Sequence, residues 1–213
     1  TADELDVLDA YVSSGVPLVA ALNRRVVFPQ NFRSMAQSTG LEPFLAHYGV
    51  QVERDFVMDA QCSNIAMRSK ESTFLVKYLP FVMSNHLNKD NRALQGLDVL
   101  GFPFASPLTS TLSSPSTLTF TWLAQSSRDS WVWPGLYHAD PPSLQKQFQT
   151  APPTNFAQAG RQKDLGPFTL AAVVEGSTVT FREPRRPAPH VKLVVMGTSF
   201  FANPQVPNPE GNA

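Results

Sequence analysis

The sequence predicts an α/β fold, and three observations carry that prediction. An amphipathic helix, a glycine turn and an apolar strand follow one another through residues 3–22. A unit of the same type recurs at 39–58, and apolar strand patterns at 117–123, 168–174 and 191–196 supply the rest of a sheet.

The first unit opens with Asp3-Glu-Leu-Asp-Val-Leu-Asp-Ala-Tyr-Val, which places Leu5, Leu8, Tyr11 and Val12 on one helical face. Asp3 and Glu4 fall at the helix start, where the macrodipole favours negative charge. Ser13-Ser14-Gly15 stops the helix, and Val16-Pro-Leu-Val-Ala-Ala-Leu22 reads as a short strand buried on both faces. In the second unit Thr39 caps a helix through Leu41, Phe44, Leu45 and Tyr48, Gly49 ends it, and Val50 to Met58 alternates as an extended segment.

The middle of the chain is less regular. Residues 74–83 are strand-like, but Pro80 has no N–H for a ladder and marks an edge or a bend. Residues 93–100 carry a short periodic segment, and Gly101 to Leu108 is punctuated by Gly and Pro into extended or looped chain. Thr117-Leu-Thr-Phe-Thr-Trp-Leu123 alternates as a half-buried strand. A Pro-rich insertion around 134–165 reads as a long connection or flap, with Phe148 and Phe156 as anchors. Phe168 to Val174 and Val191 to Met196 close the sheet, joined through a short segment at Thr178–Phe181 and the basic, Pro-rich stretch Arg182–His190. One α/β domain over 1–202 and an exposed tail over 203–213 are expected.

Composition narrows the function. Seventeen basic and seventeen acidic side chains cancel without strong clustering, which argues against nucleic acid and other polyanions as partners. The one cysteine, Cys62, cannot form an internal disulfide, and this fits either a reducing cytoplasm or an extracytoplasmic domain without bridges. No apolar run reaches the roughly 20 residues of a spanning helix. The chain opens on a helical pattern at Thr1, so the gene product is expected to begin further upstream.

Candidate chemistry is sparse. Cys62, in Asp59-Ala-Gln-Cys-Ser-Asn64, is a nucleophile candidate on a turn after a strand, but it lacks the glycine-flanked elbow and a neighbouring histidine. His47, His86, His138 and His190 stand far apart, with no metal-ligand spacing, so no metal site is expected. Asp3, Asp6 and Asp9 form a carboxylate stripe that reads as a solvated helix face. No phosphate-cradling or acyl-transfer motif occurs, and no cofactor is expected. Trp122, Trp131, Trp133 and Tyr137, with Pro134 and Gly135, compose either a ligand or partner contact surface or core packing under a long loop.

Several phrases, read in order, resemble the auxiliary-domain family of ABC-type transport systems, which includes the gliding-motility protein GldG and is related to a domain of intraflagellar transport proteins. They are Leu5 to Val19; Leu41 to Val52 with Phe56 to Asp59; Leu100 to Leu108; Gly166 to Gly176; and Val191 to Phe201. At the last strand the family often carries acidic residues after the glycine, whereas this chain has Thr198 and Phe200, which removes the basis for a cation site there.

The resemblance implies a flavodoxin-like or glutamine-amidotransferase-like open sheet with helices on both faces, without the amidotransferase's catalytic residues. It also implies a first strand preceding Thr1 and membrane helices outside this segment. It places the domain in the periplasm or outside the cell, anchored to the inner membrane, with ABC transporter ATPase and permease subunits as partners and self-association as a further assembly. The expected role is non-catalytic accessory or scaffolding work. A sugar- or peptide-binding module, and a hydrolase or amidotransferase-like enzyme using Cys62, are the alternatives.

Overall fold

The computed structural model describes residues 2–28, 30–68, 71–136, 138–148, 152–153, 156 and 160–200. Among these the chain runs α1 (Ala2–Ser13), β1 (Leu18–Ala21), β2 (Arg25–Phe28), β3 (Arg33–Ala36), α2 (Glu42–His47), β4 (Val50–Val52) and β5 (Val57–Asp59). It continues β6 (Cys62–Arg68), β7 (Thr73–Ser84), β8 (His86–Leu87), β9 (Leu100–Pro103), β10 (Leu108–Ser110), β11 (Leu118–Gln125) and β12 (Ser130–Val132). It ends with α3 (Pro141–Phe148), β13 (Thr169–Val179) and β14 (Pro187–Met196). The expected tail over 203–213 lies outside the described residues.

The fold is mixed α/β but rich in strands. Its principal sheet has seven strands with β13 as the spine. β14 lies antiparallel along one edge of β13, from Ala171 opposite Met196 to Val179 opposite Pro187. β11 lies antiparallel along the other, from Leu118 opposite Gly176 to Gln125 opposite Thr169. β10 joins at Leu108 opposite Thr169 and leads to β4, while β8 extends β11. β6, β7 and β9 form a second, three-stranded antiparallel sheet, and β2–β3 and β5–β12 are two-stranded ribbons.

The expected open sheet with helices on both faces is not what these residues display. Only β1 with β14 pairs in parallel, Leu18 opposite Leu193 through Ala21 opposite Met196, and the α-helices number three. The reason lies in β13, where Ala172 and Val174 enter one core cluster while Leu170, Ala171 and Val173 enter another. An apolar run buried on both faces marks any strand sandwiched between two cores, whatever the direction of its neighbours.

β1 itself is not buried on both faces. It is an edge strand with β14 on one side, and Val19 is 59% exposed. α1 ends as its sequence requires, with Gly15 at φ +85 in the left-handed region. Its apolar face is narrower than expected, since Val12 is buried and Leu5 and Leu8 pack on the core while Tyr11 stands exposed. Asp9, expected on a solvated face, is buried. Its carboxylate accepts the Tyr48 hydroxyl (2.6 Å) and the Phe181 (2.8 Å) and Arg182 (3.0 Å) N–H groups, which latch α1 to the turn between β13 and β14.

Two elements lay inside stretches read as irregular. β6 occupies the region taken as the turn carrying Cys62, and pairs with β7. Pro80 sits within β7 where that ladder jumps from Cys62 opposite Val82 to Asn64 opposite Lys77, so the proline marks a bend. α3 lies inside the expected flap, with Leu144 and Phe148 buried against a cluster that includes Tyr78, Leu79 and Trp131. Residues 50–58 divide into β4 and β5 around a bend at 53–56 that carries Arg54 and Asp55.

Candidate functional site

A groove of about 880 Å³ opens between the α2–β4 unit and the segments at 132–134 and 163–168. α2 supplies Glu42, Pro43 and Ala46, β4 and the bend after it supply Gln51 to Asp55, and β10 supplies Thr109. Val132, Pro134 and Phe168 provide apolar wall, with Lys163 and Asp164 beside them. α2 is aimed here because Phe44 and Leu45 bury themselves in the core and turn its remaining face outward. Gly49, at φ +94 with the Leu112 side chain against it, lets the chain reverse from α2 directly into β4.

The acidic groups of the groove are engaged. Glu42 accepts the Thr39 (2.8 Å) and Gly40 (2.9 Å) N–H groups and pairs with Arg24 at 3.1 Å. Burial alone would raise its pKa, but the Thr39 N–H, its own backbone N–H, the Ser38 hydroxyl and the Arg24 guanidinium together bring it down to about 2. The expected Thr39 cap is therefore replaced by a reach-back from Glu42, while the Thr39 hydroxyl accepts the Leu41 N–H at 3.3 Å. Glu53 accepts from Gln51 (3.0 Å) and Thr109 (3.1 Å). Asp55 pairs with the buried Arg25 at 2.8 Å and accepts the Gly135 N–H, and Asp164 pairs with Arg161 at 2.8 Å. Arg54 and Lys163, both exposed, make no ion pair among the described residues.

A smaller hollow of about 420 Å³ lies between α1 and the β13–β14 turn, lined by Asp6, Asp9, Thr180, Arg182, Glu183 and Arg186. Arg182 pairs there with Asp6, and Asp9 is consumed by the latch described above. Its charges are largely spent on holding the turn.

Cys62 begins β6 and is half-buried. Burial pushes its thiol up to about 11, with the Asp59 charge adding to the rise and Lys77 opposing it. Among the described residues it forms no hydrogen bond to an imidazole. Asp59 is completely buried, and its carboxylate accepts the Ser127 hydroxyl (2.5 Å) and N–H (2.7 Å) and the Gln61 N–H (2.9 Å). Burial raises the Asp59 pKa despite these donors. Ser126 and Ser130 extend the network at 2.7 Å, and the Phe168 N–H donates to Ser126. The knot ties the end of β5 to the loop before β12 and to the start of β13.

The tryptophans divide. Trp131 is fully buried, 5.7 Å from the Phe148 ring, and its Nε1 has no acceptor among the described residues. Trp133 packs against Phe148 (5.1 Å) and Phe156 (5.4 Å), with the Arg161 guanidinium 5.0 Å from its ring. Trp122 stands apart on β11, 37% exposed and opposite Ala172, with no ring contact among the described residues. Tyr137 lies outside the described residues. The groove residues Arg54 and Lys163 were not anticipated as a site, because their proximity depends on tertiary structure; the alternating Val50–Met58 segment with Arg54 inside it was the one local signal.

Among the described residues no group of three or more His, Cys, Asp or Glu side chains is placed to hold a metal, and no helix is long and apolar enough to cross a membrane. The fold and groove define a strand-rich α/β domain whose ionic groups are largely committed to its own architecture. The chain belongs to the family described as an ABC-type uncharacterized transport system, whose model matches residues 1–212. No curated protein and no solved structure matches it.

Proposed function

We propose that this domain is a non-catalytic accessory component of an ABC-type transport system, acting outside the cytoplasm as a docking element for the transporter's ATPase and permease assembly. The observation that carries the reading is family membership over residues 1–212, joined to an open groove of mixed apolar and charged lining in which Arg54 and Lys163 are exposed. The buried, proton-retaining Cys62 thiol supports the absence of thiol chemistry.

Affinity purification of the full-length protein from its own membranes tests the proposal. Recovery of the transporter ATPase and permease in stoichiometric amounts is expected, and a purification that returns neither would refute it. Protease added to intact spheroplasts should digest the domain; full protection would refute the extracytoplasmic placement. Trp122 supports a second reading, a sugar- or peptide-binding surface on β11, because it is a large ring open to solvent on a rigid strand. Ligand-induced thermal shifts abolished by Trp122→Ala would favour it.

A further inference from the structure

We propose that two copies of this chain pair through the free edge of β6, antiparallel and about a two-fold axis at Ala66, joining their three-stranded sheets into one continuous sheet. The pairing goes beyond the docking role above and does not depend on it.

The edge is open. β6 is the outermost strand of its sheet, and among the described residues it pairs only with β7. None of its seven residues is buried. A free edge offers alternate N–H and carbonyl groups to any strand that approaches, and proteins guard such edges with charge, proline or a cover. β6 has no proline, and its one charge, Arg68, is its last residue. Across the ladder on β7 stand Leu75, 71% exposed, and Phe74, 45% exposed.

The existing ladder sets the register. On β6 it runs without interruption from Asn64, opposite Lys77, to Arg68, opposite Thr73, and a bulge between Cys62 and Asn64 breaks it. Ala66 is the centre of that regular run, so a two-fold axis there uses all of it. Matched rows then form across four strands. On the exposed face Leu75 and Ala66 meet Ala66 and Leu75 of the second copy. On the other face Val76 and Ile65 meet Met67 and Phe74 of the second copy, and symmetry repeats that row. Apolar cross-strand neighbours of this kind stabilise a sheet.

The charges fit the same register. Arg68 falls opposite Asn64 of the second copy, whose side-chain oxygen accepts from a guanidinium. The nearest like charge in that row is Lys77, one strand beyond Asn64. Two strand spacings put it roughly 10 Å away, about the Debye length at physiological salt. Apolar against apolar and cation against amide, all within one five-residue run, favour a second copy over an unrelated strand. The chain has seventeen charges of each sign and no net charge, so the copies meet no long-range repulsion. The contact is small, and the dimer is expected to be weak and concentration-dependent.

Sedimentation equilibrium of the 213-residue chain from micromolar to millimolar concentration tests this. A monomer–dimer equilibrium is expected. Ala66→Lys and Ala66→Glu each set like charges face to face at the axis, and each should raise the dissociation constant about tenfold or more. An equimolar mixture of the two should restore association as a one-to-one heterodimer, since Lys then faces Glu. Because Ala66 is exposed, thermal melts of both variants should match the parent. In the unaltered chain, amide exchange between Asn64 and Arg68 should slow as concentration rises. The proposal is overturned by a monomer throughout the range, by a dimer indifferent to both substitutions, or by a mixture that associates no better than its components. Exchange in β6 that ignores concentration would overturn it as well.

Discussion

Replacing Glu42 with Gln tests the premise that the groove's acids are spent on the fold. The carboxylate accepts two backbone N–H groups and two hydroxyls and faces Arg24, with its side chain 18% exposed. Against the opposing effect of burial, the Thr39 N–H, its own backbone N–H, the Ser38 hydroxyl and Arg24 bring its pKa from 4.5 to about 2. That difference is ~3 kcal/mol as an upper bound, and solvent screening in this open groove trims it to ~2 kcal/mol of stability at neutral pH. Because the folded value is depressed, the contribution is present above the ordinary carboxylate range and is lost as pH falls from 4.5 toward 2. A glutamine retains one acceptor oxygen but no charge, so urea unfolding at pH 7 should show a loss of ~2 kcal/mol, or roughly 4–8 °C in melting temperature. At pH 3 the loss should shrink to less than half. A pH-independent loss, or one below ~0.5 kcal/mol, would refute the reasoning.

Three further outcomes follow from the packing. Arg25→Met should destabilise by ~3–5 kcal/mol in urea, since it leaves Asp55 without its buried cation and the Leu136 carbonyl without its donor. Gly176→Ala should cost more than ~2 kcal/mol, because φ is +138 and the new methyl runs into the Thr117 carbonyl; a neutral result would contradict that close approach of β11 to β13. Alkylation of Cys62 by iodoacetamide at pH 7.5 should run roughly two orders of magnitude below that of a free thiol. A rate equal to that of free cysteine would reopen the thiol-enzyme reading.

Much of the fold was legible where local chemistry dictates it. Gly15 and Gly49 end their helices at positive φ, and the runs at 117–123, 168–174 and 191–196 became β11, β13 and β14. Strand direction was not legible, since side-chain periodicity is the same for parallel and antiparallel neighbours. α3 was legible and missed: Asp140 accepts the Ser143 N–H at 3.1 Å, Pro141 opens the helix, and Leu144 and Phe148 recur four apart. Proline content drew that stretch toward a loop reading although Pro is favoured in a first helical turn. The burial of Asp9 depends on Tyr48 and on the turn at 180–183, and the groove depends on segments more than a hundred residues apart. Neither leaves a periodic trace in the sequence.

The central claim, that this is a docking domain working through the groove beside β4, is tested most directly by photo-crosslinking the full-length protein in its native membrane. A photoreactive residue at Lys163 in the groove would be compared with one at Val19, exposed on the edge strand β1. The account predicts an adduct with another component of the transport system from position 163, and none from position 19. No adduct from position 163, or equal adducts from both positions, would contradict it.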